Sequence, residues 1–412
     1  KTVLRIDMNV KSYEDTLAFL SSYVRPAAET EIRKLSDALG FVLAENLISN
    51  LDLPRFNNSA MDGRAFGSEN IQPESFTLTC VGSAFAGHPY EGKLRPGECI
   101  RIMTGAEVPE GADTVVKQEI VTSEGSLVTF PAGVRKNENV RFCGEEVQQG
   151  SVCLKAGIKL RSAHMNFLAA VGVKEVVVYR KLKVGFFSTG DELIGVEETM
   201  SEGKIYDSNR YCIKAMIEEA GFEPVDLGRF PDNEQKIKDG VLQAAVLCDA
   251  IITSGGVSVG EADFTRDAVL SNGELVDWKC LIKPGKPLAI GKVRNAYFFG
   301  LPGNPTAAQV TFHAIVSLAL RKLSGEINPT LKMSLAYAGA DNLKKKPGYT
   351  EFQRGVLEVR NGRICVIPAG SQKTGAMRSM VDANCFIFLP EQQGAVHEGD
   401  LLRVVSFYGL YS

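Results

Sequence analysis

Strands that alternate with helices from about residue 183 to residue 323, bracketed by stretches of short strands and turns, predict a multidomain protein of class α/β plus β. The expected architecture is a doubly wound α/β domain with a helical N-terminal domain, an inserted small β domain and a C-terminal β-barrel-like domain. Two patterns carry this reading. Short, continuous apolar runs such as 184–187 and 250–253 end in Ser and Gly, as strands of a parallel sheet buried on both faces do. On either side the pattern changes to period two, broken by turn residues. The expected boundaries are 6–50 with 147–180 for the helical domain, 51–146 for the inserted β domain, 181–327 for the α/β domain and 328–412 for the closing β domain.

Taken in order, Ser12-x-x-Asp15 resembles a capping box ahead of Leu17, Phe19 and Leu20, and Ser36 is placed to cap a second helix carrying Leu39, Val42 and Leu43. Pro54 breaks that pattern. Strands are expected at 76–81, 98–103, 113–118 and 127–130, then a helix over 162–171 and a strand over 173–179. In the α/β part, strands are expected at 184–187, 224–227, 250–253, 275–278 and 297–299. Helices are expected at 209–220, 234–247, 263–270 and 306–323. After residue 328, Asn361-Gly362 between two alternating runs is a hairpin signal.

Composition excludes several classes. The 412 residues carry a net charge of −3 with the basic residues scattered, which gives no footprint for nucleic acid. No apolar run reaches the length of a membrane span, and the first ten residues lack the layout of a signal peptide. Nine cysteines without C-x-x-C spacing fit reduced thiols in a cytoplasmic protein better than a disulfide framework or zinc site. Only four histidines occur, and His313 lies in an apolar helix, where a core role is expected.

Chemistry concentrates at the expected carboxyl ends of the α/β strands, where ligands of such folds sit. One loop there reads S-G-G-V-S-V-G-E-A-D (254–263). Its glycines let backbone N–H groups approach an anion, and its serines add donors. It is not a Walker A loop, since Glu261 and Ala262 stand where Lys and Ser/Thr would be. A plain tight turn is the competing reading. A second loop, 188–192, carries Ser, Thr, Gly, Asp and Glu. In a third, 300–305, Asn304 can cap a helix that starts at Pro305 and turns free N–H groups toward the site. Asp207, Asp232, Lys283 and Lys286 join this edge. Carboxylates beside phosphates repel unless a divalent ion lies between, and Mg²⁺ is commonly held by one or two carboxylates plus phosphate oxygens. Helix caps and a solvated lysine turn would explain each part separately. A second polar cluster, 57–63 with 101–106 and 141–146, reads from composition as turns.

The segments N-N-S-A-M-D-G (57–63), R-I-M-T-G-A (101–106), F-S-T-G-D-E-L (187–193), Y-D-S-N (206–209), S-G-G-V-S-V-G-E-A-D (254–263), K-P-G-K-P (283–287) and G-L-P-G-N-P (300–305) together resemble the molybdopterin molybdenumtransferases, the MoeA family, to which the gephyrin E domain also belongs. The resemblance implies an α/β domain of the molybdopterin-binding type and an elongated homodimer whose active site lies between subunits. It implies insertion of molybdenum from molybdate into adenylylated molybdopterin, with Mg²⁺ required and AMP released. Catalytic roles are implied for Asp62, Thr104, Glu192, Asp232, Asp263, Lys283 and Lys286, and Mg²⁺ ligation for Asp191, Glu192 and Asp263. Substrate binding is implied for Thr189, Gly190, Asp207, Ser254, Gly255, Gly256, Ser258, Pro302, Gly303, Asn304 and Pro305. The pathway's adenylyltransferase and molybdoenzyme-maturation proteins are the implied partners.

Two positions depart from the family pattern. Glu146 stands where many relatives have Asp, and the 370–375 segment has lost one hydroxyl of a Ser-Ser pair, leaving Ser371 and Thr374. Two other readings stay open at this stage, an ATP-consuming molybdopterin adenylyltransferase and a non-catalytic gephyrin-like scaffold.

Overall fold

The computed structural model describes residues 10–27, 29–255, 264–341 and 343–407. The chain divides into two compact units, one drawn from residues 1–31, 40–44 and 178–412 and the other from 32–39 and 45–177.

The larger unit is built on a seven-stranded sheet. Four strands are parallel neighbours in the order Glu223–Phe230, Lys183–Thr189, Ala250–Ser254, Ala296–Leu301. The chain leaves Lys183–Thr189 toward one edge and then returns to add strands on its other side. The topological switch point therefore falls between the carboxyl ends of Lys183–Thr189 and Ala250–Ser254. Period-two alternation sends Phe186, Ile252 and Phe299 to one face of the sheet and Phe187, Ile251 and Phe298 to the other. On the first face they meet Ile213, Met216 and Ile217 of helix Ser208–Glu219. On the second they meet Ile237 and Val241 of helix Glu234–Leu247 and Val269 of helix Phe264–Asn272. Each such fully buried side chain contributes about 1.5–3 kcal/mol of apolar transfer energy, so both faces must be covered and the domain is doubly wound.

The sheet is not wholly parallel. Pro287–Val293 runs antiparallel between Gly273–Cys280 and Ala296–Leu301, a strand that the 287–293 stretch hides behind its Pro and Gly. This reversal has a consequence for the site. Because Ala289 pairs with Gly300, the start of Pro287–Val293 lies beside the carboxyl end of Ala296–Leu301, and residues 283–287 arrive at the same edge as the glycine loops.

The helix that follows Asn304 begins as Pro305–Thr311, passes through a π-helical stretch, Phe312–Val316, and continues as Ser317–Leu323. A closed five-stranded barrel follows. Its order is Thr350–Arg360, Arg363–Pro368, Ser334–Ala338, Leu401–Ser406, Cys385–Leu389 and back to Thr350–Arg360. Asn361 (φ 50°) and Gly362 (φ 74°) form the two-residue hairpin loop, the left-handed geometry that Asn-Gly tolerates best. Ile282–Lys283 pairs in parallel with Thr350 and Glu351, extending the barrel's sheet into the α/β domain. Tyr13, from helix Tyr13–Tyr23, donates its hydroxyl to the Ala314 carbonyl at 3.0 Å and packs edge-on against Phe352. Ser12 caps that helix through the Asp15 amide at 3.0 Å, as its spacing predicts.

The smaller unit centres on a six-stranded sheet ordered Thr122–Glu124, Leu127–Phe130, Phe76–Ala84, Glu98–Ile102, Gly63–Phe66, Thr114–Lys117. Phe76 and Phe130 stack in its core and Phe66 meets both edge-on, at centroid distances of 4.7–5.6 Å.

One expected helix is absent. Residues 36–43 form a 3-10 turn, Leu35–Asp37, followed by strand Val42–Leu43, which pairs with Val178 and Tyr179. The cap at Ser36 offers one hydrogen bond, whereas the strand buries Val42 and Leu43 completely or nearly so, and burial outweighs local propensity.

Candidate active site at the carboxyl edge of the α/β sheet

The switch point opens into a cavity of about 120 Å³ lined by Ser188, Thr189, Asp207, Asn209, Ser254 and Gly255, with Glu192, Gly303 and Pro305 at its sides. The strands fix most of these groups. Ser188 and Ser254 are direct partners across the two central strands, and both are almost fully buried. Gly255 turns with φ 88°, which a side chain would resist, and a Cβ on Gly303 would lie 3.8 Å from the Gly255 Cα. The two glycine loops therefore meet backbone to backbone. Asn209 joins them, donating to Ser254 Oγ at 2.6 Å and to the Gly303 carbonyl at 2.8 Å. Asn304 caps the helix at Pro305 by accepting the Thr306 and Ala307 amides at 3.2 and 3.4 Å. That geometry turns the helix's positive end toward the cavity.

Asp207 sits beneath this floor as the cap of helix Ser208–Glu219. Its Oδ1 accepts from the Ser188 hydroxyl at 3.1 Å and from the Arg210 amide at 3.2 Å. At the rim, Asp191 and Asp232 come from the ends of adjacent strands and clasp each other reciprocally. The Asp232 amide donates to Asp191 Oδ1 at 3.1 Å and the Asp191 amide to Asp232 Oδ2 at 3.4 Å. Both are exposed, as is Glu192. Lys204 donates its ammonium to the Asp191 carbonyl.

Lys283 and Lys286 lie in the turn that the antiparallel strand brings to this edge. Gly285 between them has φ 115°, and a Cβ there would stand 2.3 Å from Thr311 Oγ1, so only glycine lets the turn rest on the helix after Pro305. Lys286 faces the Tyr349 ring at 5.9 Å. Lys283 borders a second cavity of about 300 Å³, shared with Lys344, Glu351, Arg354, Gln372 and Thr374. Arg354, 1% exposed, donates to Ser379 Oγ at 3.1 Å and to the carbonyls of Ser371 and Lys373 at 3.0 and 3.1 Å. Burial holds its guanidinium below the usual arginine range. It thereby holds the 371–373 loop beside the second cavity.

In the other unit, Asp62 Oδ1 accepts both the Thr104 hydroxyl, at 2.7 Å, and the Thr104 amide, at 2.8 Å. Those bonds, the hydroxyl first, hold the Asp62 carboxyl below its ordinary range. Glu146 is paired with Arg141, which also binds Glu145 at 3.1 Å.

The predicted residues thus fall in several places. Thr189, Gly190, Asp191, Glu192, Asp207, Asp232, Ser254, Gly255, Pro302, Gly303, Asn304 and Pro305 lie at the carboxyl edge of the α/β sheet, and Lys283 and Lys286 lie in the turn before Pro287–Val293, where Lys283 pairs with the barrel and borders the second cavity. Asp62 and Thr104 bond to each other in the other unit. Gly256, Ser258 and Asp263 lie outside the described residues. Arg354, Glu351 and Asn209 escaped the sequence-based site list.

For Mg²⁺ the donor set fits in part. Among the described residues no group of three or more His, Cys, Asp or Glu side chains is arranged to hold an ion. Asp191 and Glu192, adjacent and exposed at the rim, with phosphate oxygens supplying the rest, still match the way Mg²⁺ is usually held.

Known proteins show the same pattern. Residues 11–172 match the MoeA N-terminal region (domain I and II), 185–322 a probable molybdopterin binding domain, and 339–407 the MoeA C-terminal region (domain IV). The chain is 42% identical to a molybdopterin molybdenumtransferase of Haemophilus influenzae over 381 residues, which covers 92% of this chain and 94% of that protein. It is 33% identical to one from a Nostoc species, over 90% of this chain and 87% of that one. Among solved structures, a molybdopterin biosynthesis MoeA protein from Pyrococcus horikoshii superposes with a TM-score of 0.81 at 28% identity, covering 97% of this chain and all of that one.

Proposed function

Because this chain belongs to the MoeA family of molybdopterin molybdenumtransferases, enzymes of molybdenum cofactor biosynthesis, we propose that it transfers molybdenum from molybdate into adenylylated molybdopterin with release of AMP, in a reaction that requires Mg²⁺. The observation that carries this reading is a convergence on one sheet edge. Anion-seeking amides and clasped carboxylates lie there, a lysine turn borders the neighbouring cavity, and such groups act together productively when a cation and a phosphoanhydride come between them.

In this reading the amides at Gly255 and at the helix start after Asn304 cradle substrate phosphate. Thr189, Gly190, Ser254, Pro302 and Gly303 shape that cradle, and Gly256 and Ser258, which follow Gly255 in the sequence, are assigned to substrate binding with them. Asp191, Glu192 and Asp263 would hold Mg²⁺, with Asp232 orienting Asp191 through its amide. The bound ion would neutralise charge that develops on the departing AMP. Lys283, Lys286 and Arg354 draw molybdate, whose two negative charges need cationic partners in a partly buried site. Asp62 and Thr104 form the polar cluster contributed in the homodimer by the other subunit.

The proposal includes that homodimer, the four domains 6–50 with 147–180, 51–146, 181–327 and 328–412, and residence in the cytoplasm. The family matches that end at 172, start at 185, end at 322 and start at 339 support the outer divisions. Among the described residues no helix is long and apolar enough to cross a membrane. The deciding experiment compares AMP production from adenylylated molybdopterin, molybdate and Mg²⁺ with ATP turnover on unmodified molybdopterin. Turnover of ATP alone would assign the chain to adenylylation, and no turnover of either would leave a scaffold.

A further inference from the structure

Asp207 lines the cavity at the switch point, and among the described residues one of its oxygens has no hydrogen-bond partner. Asp207 is 3% exposed; its Oδ1 is occupied by Ser188 and Arg210, yet its Oδ2 is buried and makes no hydrogen bond. A carboxylate oxygen removed from water and left unpaired is costly, and such exceptions in a folded protein call for a partner. The neighbouring groups do not supply it. Asn209 spends its amide on Ser254 and Gly303, and the Ser254 hydroxyl is directed at the Pro302 carbonyl at 3.4 Å. Leu193 and Ile205 give the cavity apolar walls, and Tyr206 stands beside them. A ligand that brings its own donor would satisfy that oxygen.

We propose that Asp207 Oδ2 accepts a hydrogen bond from the exocyclic amine of the substrate's heterocycle and so seats that ring in the cavity. The inference rests on adenylylated molybdopterin being the substrate. That molecule carries two such amines, and their surroundings differ. The pterin 2-amino group adjoins a ring N–H, so two donors point the same way and match the two lone pairs of one carboxylate oxygen. The adenine amine adjoins a ring nitrogen that is an acceptor, which a carboxylate repels. The pterin is therefore the favoured occupant.

The test uses the full-length protein and two variants. Asp207→Asn keeps a capping oxygen for the Arg210 amide and presents an NH₂ group to the cavity, donor against donor. Asp207→Ser also keeps a cap but deletes the orphan atom. Equilibrium binding is measured for adenylylated molybdopterin, molybdopterin and AMP, with thermal melting to verify folding. Expected is a loss of about ten- to a hundredfold in affinity for molybdopterin and its adenylylated form with AMP unchanged, the worth of one hydrogen bond to a charged group. Loss confined to AMP and the adenylylated form would keep the amine contact and move it to adenine. Variants that bind all three ligands like the wild type would overturn the inference, leaving Asp207 a helix cap whose second oxygen meets water. Should neither variant fold, the wild-type protein is titrated with pterin and with lumazine, which has oxygen in place of the 2-amino group, and equal affinity overturns it. A wild-type protein that fails to bind adenylylated molybdopterin at all would instead remove the proposed function.

Discussion

The ammonium of Lys283 stands 3.6 Å from a carboxylate oxygen of Glu351, and the two residues are direct partners in a parallel ladder. The lysine side chain is 60% exposed and the glutamate 6%. Glu351 is itself held by Gln353, whose amide donates to its other oxygen at 2.9 Å. A buried carboxylate thus anchors a cation on a long flexible stem beside the basic cavity. Glu351→Gln preserves the shape and removes the charge. The KM for molybdate is expected to rise about two- to fivefold, as befits a partly exposed ion pair, while the KM for adenylylated molybdopterin stays put. Initial rates of AMP release measure both, and an unchanged molybdate KM would deny Glu351 this role.

Glu192 lies at the rim, exposed and beside the cavity. Glu192→Gln removes one negative charge with little change in volume. Mg²⁺-dependent AMP release is expected to slow by about a hundredfold or more, without loss of thermal stability. Full turnover in the folded variant would exclude Glu192 from the reaction.

Thr104 gives Asp62 two hydrogen bonds that favour its ionised form. A carboxyl held below its ordinary range stabilises its surroundings at pH values above that range, and the contribution fades as pH falls through the lowered value. Thr104→Val deletes the hydroxyl bond, the larger of the two causes, so the Asp62 titration should move up toward an ordinary aspartate. Carboxyl-carbon NMR shifts followed against pH would report this directly. A midpoint that does not move would show that the amide bond alone sets it.

His313 is buried in the π-helical stretch, and desolvation brings its pKa down to about 4. The unfolded chain binds this proton near the model-peptide value of about 6.5, so stability linked to neutral His313 is whole above that pH. It falls as pH drops toward 4, by up to about 3 kcal/mol. His313→Gln should flatten this part of the stability curve. Urea unfolding at pH 7.0 and pH 4.5 compares the two proteins, and parallel curves would contradict the expectation.

Much of this architecture can be read from local pattern. The helix over 234–247 and the hairpin at Asn361-Gly362 sit where their periodicity and turn residues place them. Loops after parallel strands converge by topology, so the shared position of Asp191, Ser254 and Asn304 follows once the strands are found. What escaped depends on partners far away in the chain. The fate of residues 42–43 is decided by Val178 and Tyr179, and the antiparallel strand Pro287–Val293 by its two neighbours in the sheet. The π-helical stretch has no period that the sequence announces. Arg354 finds its acceptors 17 and 19 residues downstream, at Ser371 and Lys373, in a loop with no regular spacing to reveal it.

Ile282–Lys283 is stitched into the ladder of the C-terminal barrel although it belongs to the α/β sheet's own hairpin turn. Whatever loosens the barrel therefore drags an ammonium group out of place. Phe352, Phe386 and Phe388 of the barrel share one core with Phe186, Ile252 and Phe299 of the sheet, so heat or denaturant should melt the two together and take the lysine's position with them.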